Sequence, residues 1–219
     1  MDLLPAIEYD TTPTPDSAVI WLHGLGADGH DFAPIVPQLH LPELLGIRFI
    51  FPHAPKIPVT INGGYVMPAW YDILEMEIDR QVDHVQLLAS AKAVSGIIED
   101  QTERGIDSKR IILAGFSQGG AVAYQACLSS EIPLAGLLTM STYFPTSDSI
   151  TLSEANRQIP IEIHHGSFDP VVPEHLGRKA HRFLTDKGYQ VRYRTYPMEH
   201  SVCPRQISDI AVWITSILS

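Results

Sequence analysis

Three residues of the 219 are of types that together can break an acyl bond: Ser117 within Gly115-Phe116-Ser117-Gln118-Gly119, then Asp169, then His200. A serine hydroxyl is a poor nucleophile until an imidazole takes its proton, and the imidazole needs a carboxylate to fix its tautomer and stabilise its charged form. Where a serine sits on a sharp turn between strand and helix, its partners follow in the order Ser, Asp, His, each on a loop after a later strand. A bare Gly-x-Ser-x-Gly arises by chance in roughly one chain in fifteen of this size. Here the apolar run Ile111-Ile112-Leu113-Ala114 enters the turn and Gly120-Ala121-Val122-Ala123 leaves it, as a buried strand and a close-packed helix would. The start of that helix favours negative charge beside Ser117 and makes the Gln118 N–H a natural donor to an oxyanion.

The same order selects the partners. Asp169 lies in His165-Gly166-Ser167-Phe168-Asp169-Pro170, after an apolar run ending at His164, whereas Asp148 follows an earlier strand and Asp186 falls on a helix. The alternative role for Asp169 is to cap the helix that opens at Pro173. His200 follows the strand-like run Gln190 to Tyr196 and precedes the last helix. His23, His30, His40, His53 and His84 come too early, His175 and His181 belong to a helix, and His164 and His165 sit beside the acid loop in structural positions. After Ser17 to Leu22 comes His23-Gly24-Leu25-Gly26-Ala27-Asp28-Gly29, whose glycines either turn N–H groups towards one oxyanion or simply turn the chain. The chain has no metal-ligand motif, phosphate-cradling loop or dinucleotide fingerprint, so neither metal nor cofactor is expected. Cys203, three residues past His200, is expected to pack rather than react.

These residues need a sheet to hold them. Ser17 to Leu22, Gly46 to Phe51, the run before Ser117, Leu134 to Met140 and Ile159 to His164 are apolar runs of the length taken by strands buried on both faces. Between them, Val82 to Glu103 repeats apolar residues at Leu87, Ala91, Val94 and Ile98, and Gly105 ends that helix. A helix from Pro173 to Gly188 buries Leu176, Ala180, Phe183 and Leu184, and the last, opened by Pro204, buries Ile207, Ile210, Ala211, Trp213 and Ile214. Phe32 to Leu39 is a short helix interrupted at Pro37. The alternation predicts an α/β fold with a mostly parallel sheet covered by helices on both faces, ligands binding beyond the carboxyl ends of the strands. The connection at 55–79 is irregular, mixing turn residues with Ile57, Val59, Ile61, Tyr65, Met67, Trp70, Ile73, Leu74 and Met76. It is either a flap over the site or a surface loop packed on the core.

Composition fits one domain over 1–219, with 45% apolar and 18% charged residues. A net charge of −10, without a basic stripe, disfavours nucleic acid and anionic membranes as partners. The start of the chain lacks a basic flank and signal-length apolar run, no stretch is long enough to span a bilayer, and Cys127 and Cys203 fit no zinc or redox spacing. A cytoplasmic protein with reduced thiols is the expectation.

The chain closely resembles the phospholipase/carboxylesterase family of α/β-hydrolases, which includes small bacterial carboxylesterases and acyl-protein thioesterases. The matching blocks are Trp21-Leu22-His23-Gly24-Leu25-Gly26, Phe51-Pro52-His53-Ala54-Pro55, Asn62-Gly63-Gly64 through Met67 to Trp70-Tyr71-Asp72, Gly115 to Gly120, His165-Gly166 through Asp169 to Pro173, and Tyr196-Pro197 to His200. The resemblance implies Ser117 as nucleophile, Asp169 as orienting acid, His200 as general base, and the Leu25 and Gln118 backbone N–H groups as the oxyanion hole. It also implies that the 55–79 region shapes the acyl site, and that dimers are common among relatives, so a homodimer is possible. Met67, Trp70, Ile73 and Val171 are the side chains expected to bind substrate. One departure is Glu199, where bacterial relatives often carry glycine; pointing inward, its carboxylate would raise the pKa of His200.

The reading is a serine carboxylesterase for small-molecule esters of short to medium acyl length, with thioesters and lysophospholipids as possible substrates. A peptidase on the same fold and a non-catalytic binder of a small apolar ligand are the alternatives.

Overall fold

The computed structural model describes residues 3–75 and 81–219, so Met76 to Asp79, the end of the 55–79 connection, lie outside the described residues. In chain order the strands are β1 (Ala6–Asp10), β2 (Ser17–Leu22), β3 (Ile47–Pro52), β4 (Lys56–Val59), β5 (Tyr65–Pro68), β6 (Ile111–Phe116), β7 (Gly136–Met140), β8 (Ile161–Gly166) and β9 (Val191–Tyr196). The helices are α1 (His84–Glu103), α2 (Gln118–Leu128), α3 (Glu174–Asp186) and α4 (Pro204–Leu218). Seven strands form one sheet in the order β1-β3-β2-β6-β7-β8-β9. All neighbours in it are parallel except β1, which runs antiparallel along β3.

Residues of β2 and β6 alternate between two cores. Ala18, Ile20, Leu22, Ile111 and Leu113 face the layer of α1, α2 and α3, while Val19, Trp21, Ile112 and Ala114 face α4 and the 3₁₀ segment Ala33–Leu39. Burial on both faces explains why these strands are continuous apolar runs. On α1, Leu87, Ala91, Val94 and Ile98 are all buried, Asp83 caps the N-terminus through Gln86 N–H, and Gly105 follows the helix at positive φ. Pro204 opens α4, whose Ile207, Ile210, Trp213 and Ile214 are buried.

Two elements differ from expectation. β1 is an exposed edge strand with only Ile7 partly buried, so it carries no apolar signature, and ladder hydrogen bonds to β3 define it instead. The connection at 55–79 opens with the hairpin β4–β5, which tolerates Pro58 and Pro68 because each of its strands has a partner on one side only. Past the hairpin the chain dives inward, and Trp70 and Tyr71 are fully buried.

Candidate active site

Strands β2, β6, β8 and β9 end at one rim, and the residues following them form the site. At the elbow Ser117 adopts φ 53° and ψ −121°, a conformation that costs energy and persists because its surroundings fix it. Its N–H donates to Met140 O at 2.9 Å and its carbonyl accepts from Thr142 Oγ1 at 2.5 Å. The flanking glycines allow the close approach: a Cβ at Gly115 would overlap Gly119 O, and one at Gly119 would lie 2.5 Å from His23 O. The strained turn leaves Oγ facing the cleft and His200.

His200 Nε2 lies 3.0 Å from Ser117 Oγ, and its Nδ1 lies 2.7 Å from Asp169 Oδ2. The other carboxylate oxygen of Asp169 accepts the N–H groups of Val171 at 2.9 Å and Val172 at 2.8 Å. Burial pushes the Asp169 carboxyl up, but the His200 hydrogen bond and those two N–H groups outweigh it, holding the group below the ordinary range and ionised. An ionised Asp169 accepts from Nδ1–H, leaving the Nε2 lone pair aimed at Ser117 Oγ. His165, fully buried beneath this loop, is kept neutral by burial and pairs through Nε2 with Val172 O at 2.8 Å, so it braces the acid loop.

Among the described residues, neither the Leu25 N–H nor the Gln118 N–H has a protein acceptor. Both residues line the cleft with Ser117, and Gln118 is the first residue of α2, where N–H groups are left over by the helix. The Gln118 side chain does different work: Oε1 accepts the Trp70 N–H at 2.8 Å and Nε2 donates to Tyr71 O at 2.6 Å, joining the 55–79 connection to the elbow. Gln118→Ala keeps the backbone donor but strands these two buried groups. It is expected to cost about 1–3 kcal/mol in denaturant unfolding and roughly tenfold in kcat/KM through misplacement of the cleft wall.

The cleft has a volume of about 260 Å³ and is walled by Leu25, Ile61, Ile73, Phe116, Tyr143 and Val171 around Ser117 and His200. Of the four side chains expected to bind substrate, Ile73 and Val171 line this cleft. Trp70 does not: it is 1% exposed, its ring sits 5.1 Å from that of His23, and its Nε1 donates to His23 O at 2.9 Å. The chain turns inward there, and Trp70 packs beneath the loop rather than in the cleft wall. Met67 also lies outside the cleft wall, its sulfur accepting from Asn62 Nδ2 at 3.3 Å and lying near Gly26. Phe116 and Tyr143 were missed, although their positions at the carboxyl ends of β6 and β7 are where a parallel sheet builds ligand walls.

Glu199 is exposed, and among the described residues the His200 ring is paired only with Asp169 and Ser117. The Glu199 carboxylate therefore points away from the His200 ring rather than inward. Cys127 is buried and burial pushes its thiol up, so it is held as the thiol. Asp28, His30 and His53 place one potential metal-ligating atom each within 4.8 Å of one another. His53 Nδ1 accepts the Gly29 N–H and His30 Nδ1 pairs with Asp28 Oδ1, so both imidazoles brace this loop.

A parallel sheet of this order with a strained serine elbow at its centre defines an α/β-hydrolase. Residues 5–218 match the family described as Phospholipase/Carboxylesterase, and the chain belongs to that family. It is similar to acyl-protein thioesterase 1 of Cryptococcus neoformans, 36% identical over 221 residues that cover 92% of each chain. Among solved structures, SOBER1 of Arabidopsis thaliana superposes with a TM-score of 0.86 at 32% identity, covering 93% of this chain and 99% of that one. Acyl-protein thioesterase 2 of Zea mays also gives 0.86, at 26% identity, covering 98% and 99%. The chain is accordingly a serine hydrolase of the esterase and thioesterase class. Among the described residues, no helix is long and apolar enough to cross a membrane.

Proposed function

We propose that this chain, acting as a single domain over 1–219, is a carboxylesterase for small-molecule esters and thioesters of short to medium acyl length. Ser117 Oγ attacks the acyl carbon as His200 Nε2 takes its proton, and the oxyanion collects the Leu25 and Gln118 N–H groups. The tetrahedral intermediate then expels the alcohol or thiol, which takes the proton back from His200. Water, activated by the same imidazole, releases the acid from Ser117. Asp169 fixes the tautomer throughout. The observation that carries this reading is the unbroken line Ser117 Oγ, His200, Asp169, at 3.0 Å and 2.7 Å, opening onto a cleft with two N–H donors that no acceptor among the described residues uses. No step calls on a cofactor or metal, and the charge of −10 suits a neutral or cationic substrate better than a nucleic acid.

The small apolar cleft supports that acyl length. At about 260 Å³ it lies just below the usual range of ligand sites, and its apolar wall includes Tyr143, whose hydroxyl is 2.8 Å from that of Tyr71. A series of p-nitrophenyl esters from acetate to palmitate, with Ser117→Ala as control, is expected to give a serine-dependent optimum at short or medium chains. An optimum at palmitate would overturn the length, and turnover at no length would overturn the esterase.

A further inference from the structure

An oxyanion donor is useful only where it is already in place when the charge develops, so the loop carrying the Leu25 N–H has to be rigid before substrate arrives. Its near end is His23, whose Nδ1 pairs with Gly24 O at 2.7 Å while Nε2 accepts the Ala54 N–H at 3.1 Å. Burial holds the His23 ring neutral, as that pairing demands. The middle of the loop is tied by the Gly26 N–H to Pro68 O at 2.8 Å. The far end is Gly29, whose N–H donates to His53 Nδ1 at 3.1 Å and which packs so closely on Phe51 O that a Cβ would overlap it. Consecutive residues after β3, His53 and Ala54, therefore grip the two ends of one loop. In each grip an imidazole nitrogen is the acceptor for a backbone N–H.

His53 lies outside the cleft wall, and the catalytic cycle gives it no proton to carry. We propose that His53 is a positioning residue for the oxyanion hole: its unprotonated Nδ1 pins Gly29, and through Gly29 it sets where the Leu25 N–H points. The proposal rests on Leu25 being an oxyanion donor. An acceptor without a ring can replace it, because the side-chain oxygen of asparagine falls close to the place of a histidine Nδ1. An apolar side chain of similar size cannot, and leaves the Gly29 N–H without its partner.

The test compares His53→Asn with His53→Leu, using p-nitrophenyl butyrate and an alkyl trifluoromethyl ketone, which Ser117 adds to as a hemiketal bearing an oxyanion. For His53→Leu, kcat is expected to fall at least about tenfold with KM within about twofold, since only the transition state uses the donor. The ketone's inhibition constant is expected to rise by the same factor. His53→Asn is expected to stay within about threefold of wild type on both readouts. Wild-type kinetics in His53→Leu, a loss confined to KM, or equal losses in both variants would each overturn the proposal. Imidazole ¹⁵N NMR of the wild-type protein adds a readout that does not depend on any variant folding: His53 is expected to carry its proton on Nε2, and a proton on Nδ1 would refute the role. Ser117→Ala, assayed in parallel, separates the two readings. Turnover surviving there removes the serine mechanism, whereas a dead Ser117→Ala beside an unimpaired His53→Leu removes only the role of His53.

Discussion

Ser117→Ala is expected to lower kcat for an activated ester by on the order of 10⁶-fold and to abolish the acylation burst. The size of the effect follows from what remains. The Leu25 and Gln118 N–H groups and the apolar cleft still hold the ester, but no atom attached to the protein attacks it, and His200 is left to activate water in a geometry built for Oγ. The variant is also a clean one. Alanine keeps the Cβ that Ser117 already carries at φ 53°, and the lost hydroxyl had only His200 as a side-chain partner among the described residues. Its unfolding midpoint is expected to stay within about 2 °C of wild type, so scanning calorimetry separates lost chemistry from lost structure.

Asp169→Asn is expected to cost about 10⁴-fold in kcat, with little change in KM. The asparagine oxygen can keep the Val171 and Val172 N–H bonds at 2.9 and 2.8 Å, which turns its NH₂ towards His200 Nδ1. A donor facing Nδ1 drives the ring proton to Nε2, where it points at Ser117 Oγ and blocks the transfer the reaction needs. The wild-type pH profile carries a related prediction. Because Asp169 is held below its ordinary range, it is expected to stay ionised at neutral and mildly acidic pH and to contribute no proton of its own to the acid limb of kcat/KM. The sign for stability is that of a depressed carboxyl. Its contribution is present above the unfolded value of about 3.9 and fades as pH falls through the lower folded value. Asp169→Asn is expected to lose that contribution at neutral pH.

The parts of the molecule that were legible beforehand are those where one local signal decides the outcome. β2 and β6 are buried on both faces, so an unbroken apolar run suffices to place them, and Gly115 and Gly119 mark a turn whose sterics exclude other residues. Ser117, Asp169 and His200 follow from chain order because each closes a strand of a parallel sheet. Trp70 and Met67 were misplaced for the opposite reason. Which way a side chain turns within an irregular connection depends on partners far off in sequence, here His23 for Trp70 and Gly26 for Met67. β1 was invisible because an exposed edge strand buries almost nothing that a pattern could register. The clamp by Gln118 and the acceptors on His23 and His53 share this property, being hydrogen bonds to backbone groups that carry no sequence mark.

The central claim is that an acyl group passes through Ser117. Rapid quenching of the wild-type protein with excess p-nitrophenyl butyrate, followed by intact mass and peptide mapping, tests it directly. The account predicts a burst of one p-nitrophenol per active site and a butyryl adduct on the peptide containing Ser117, absent from Ser117→Ala. An adduct on Cys203, or turnover proceeding with neither burst nor adduct under conditions that trap acyl-enzymes, would contradict it.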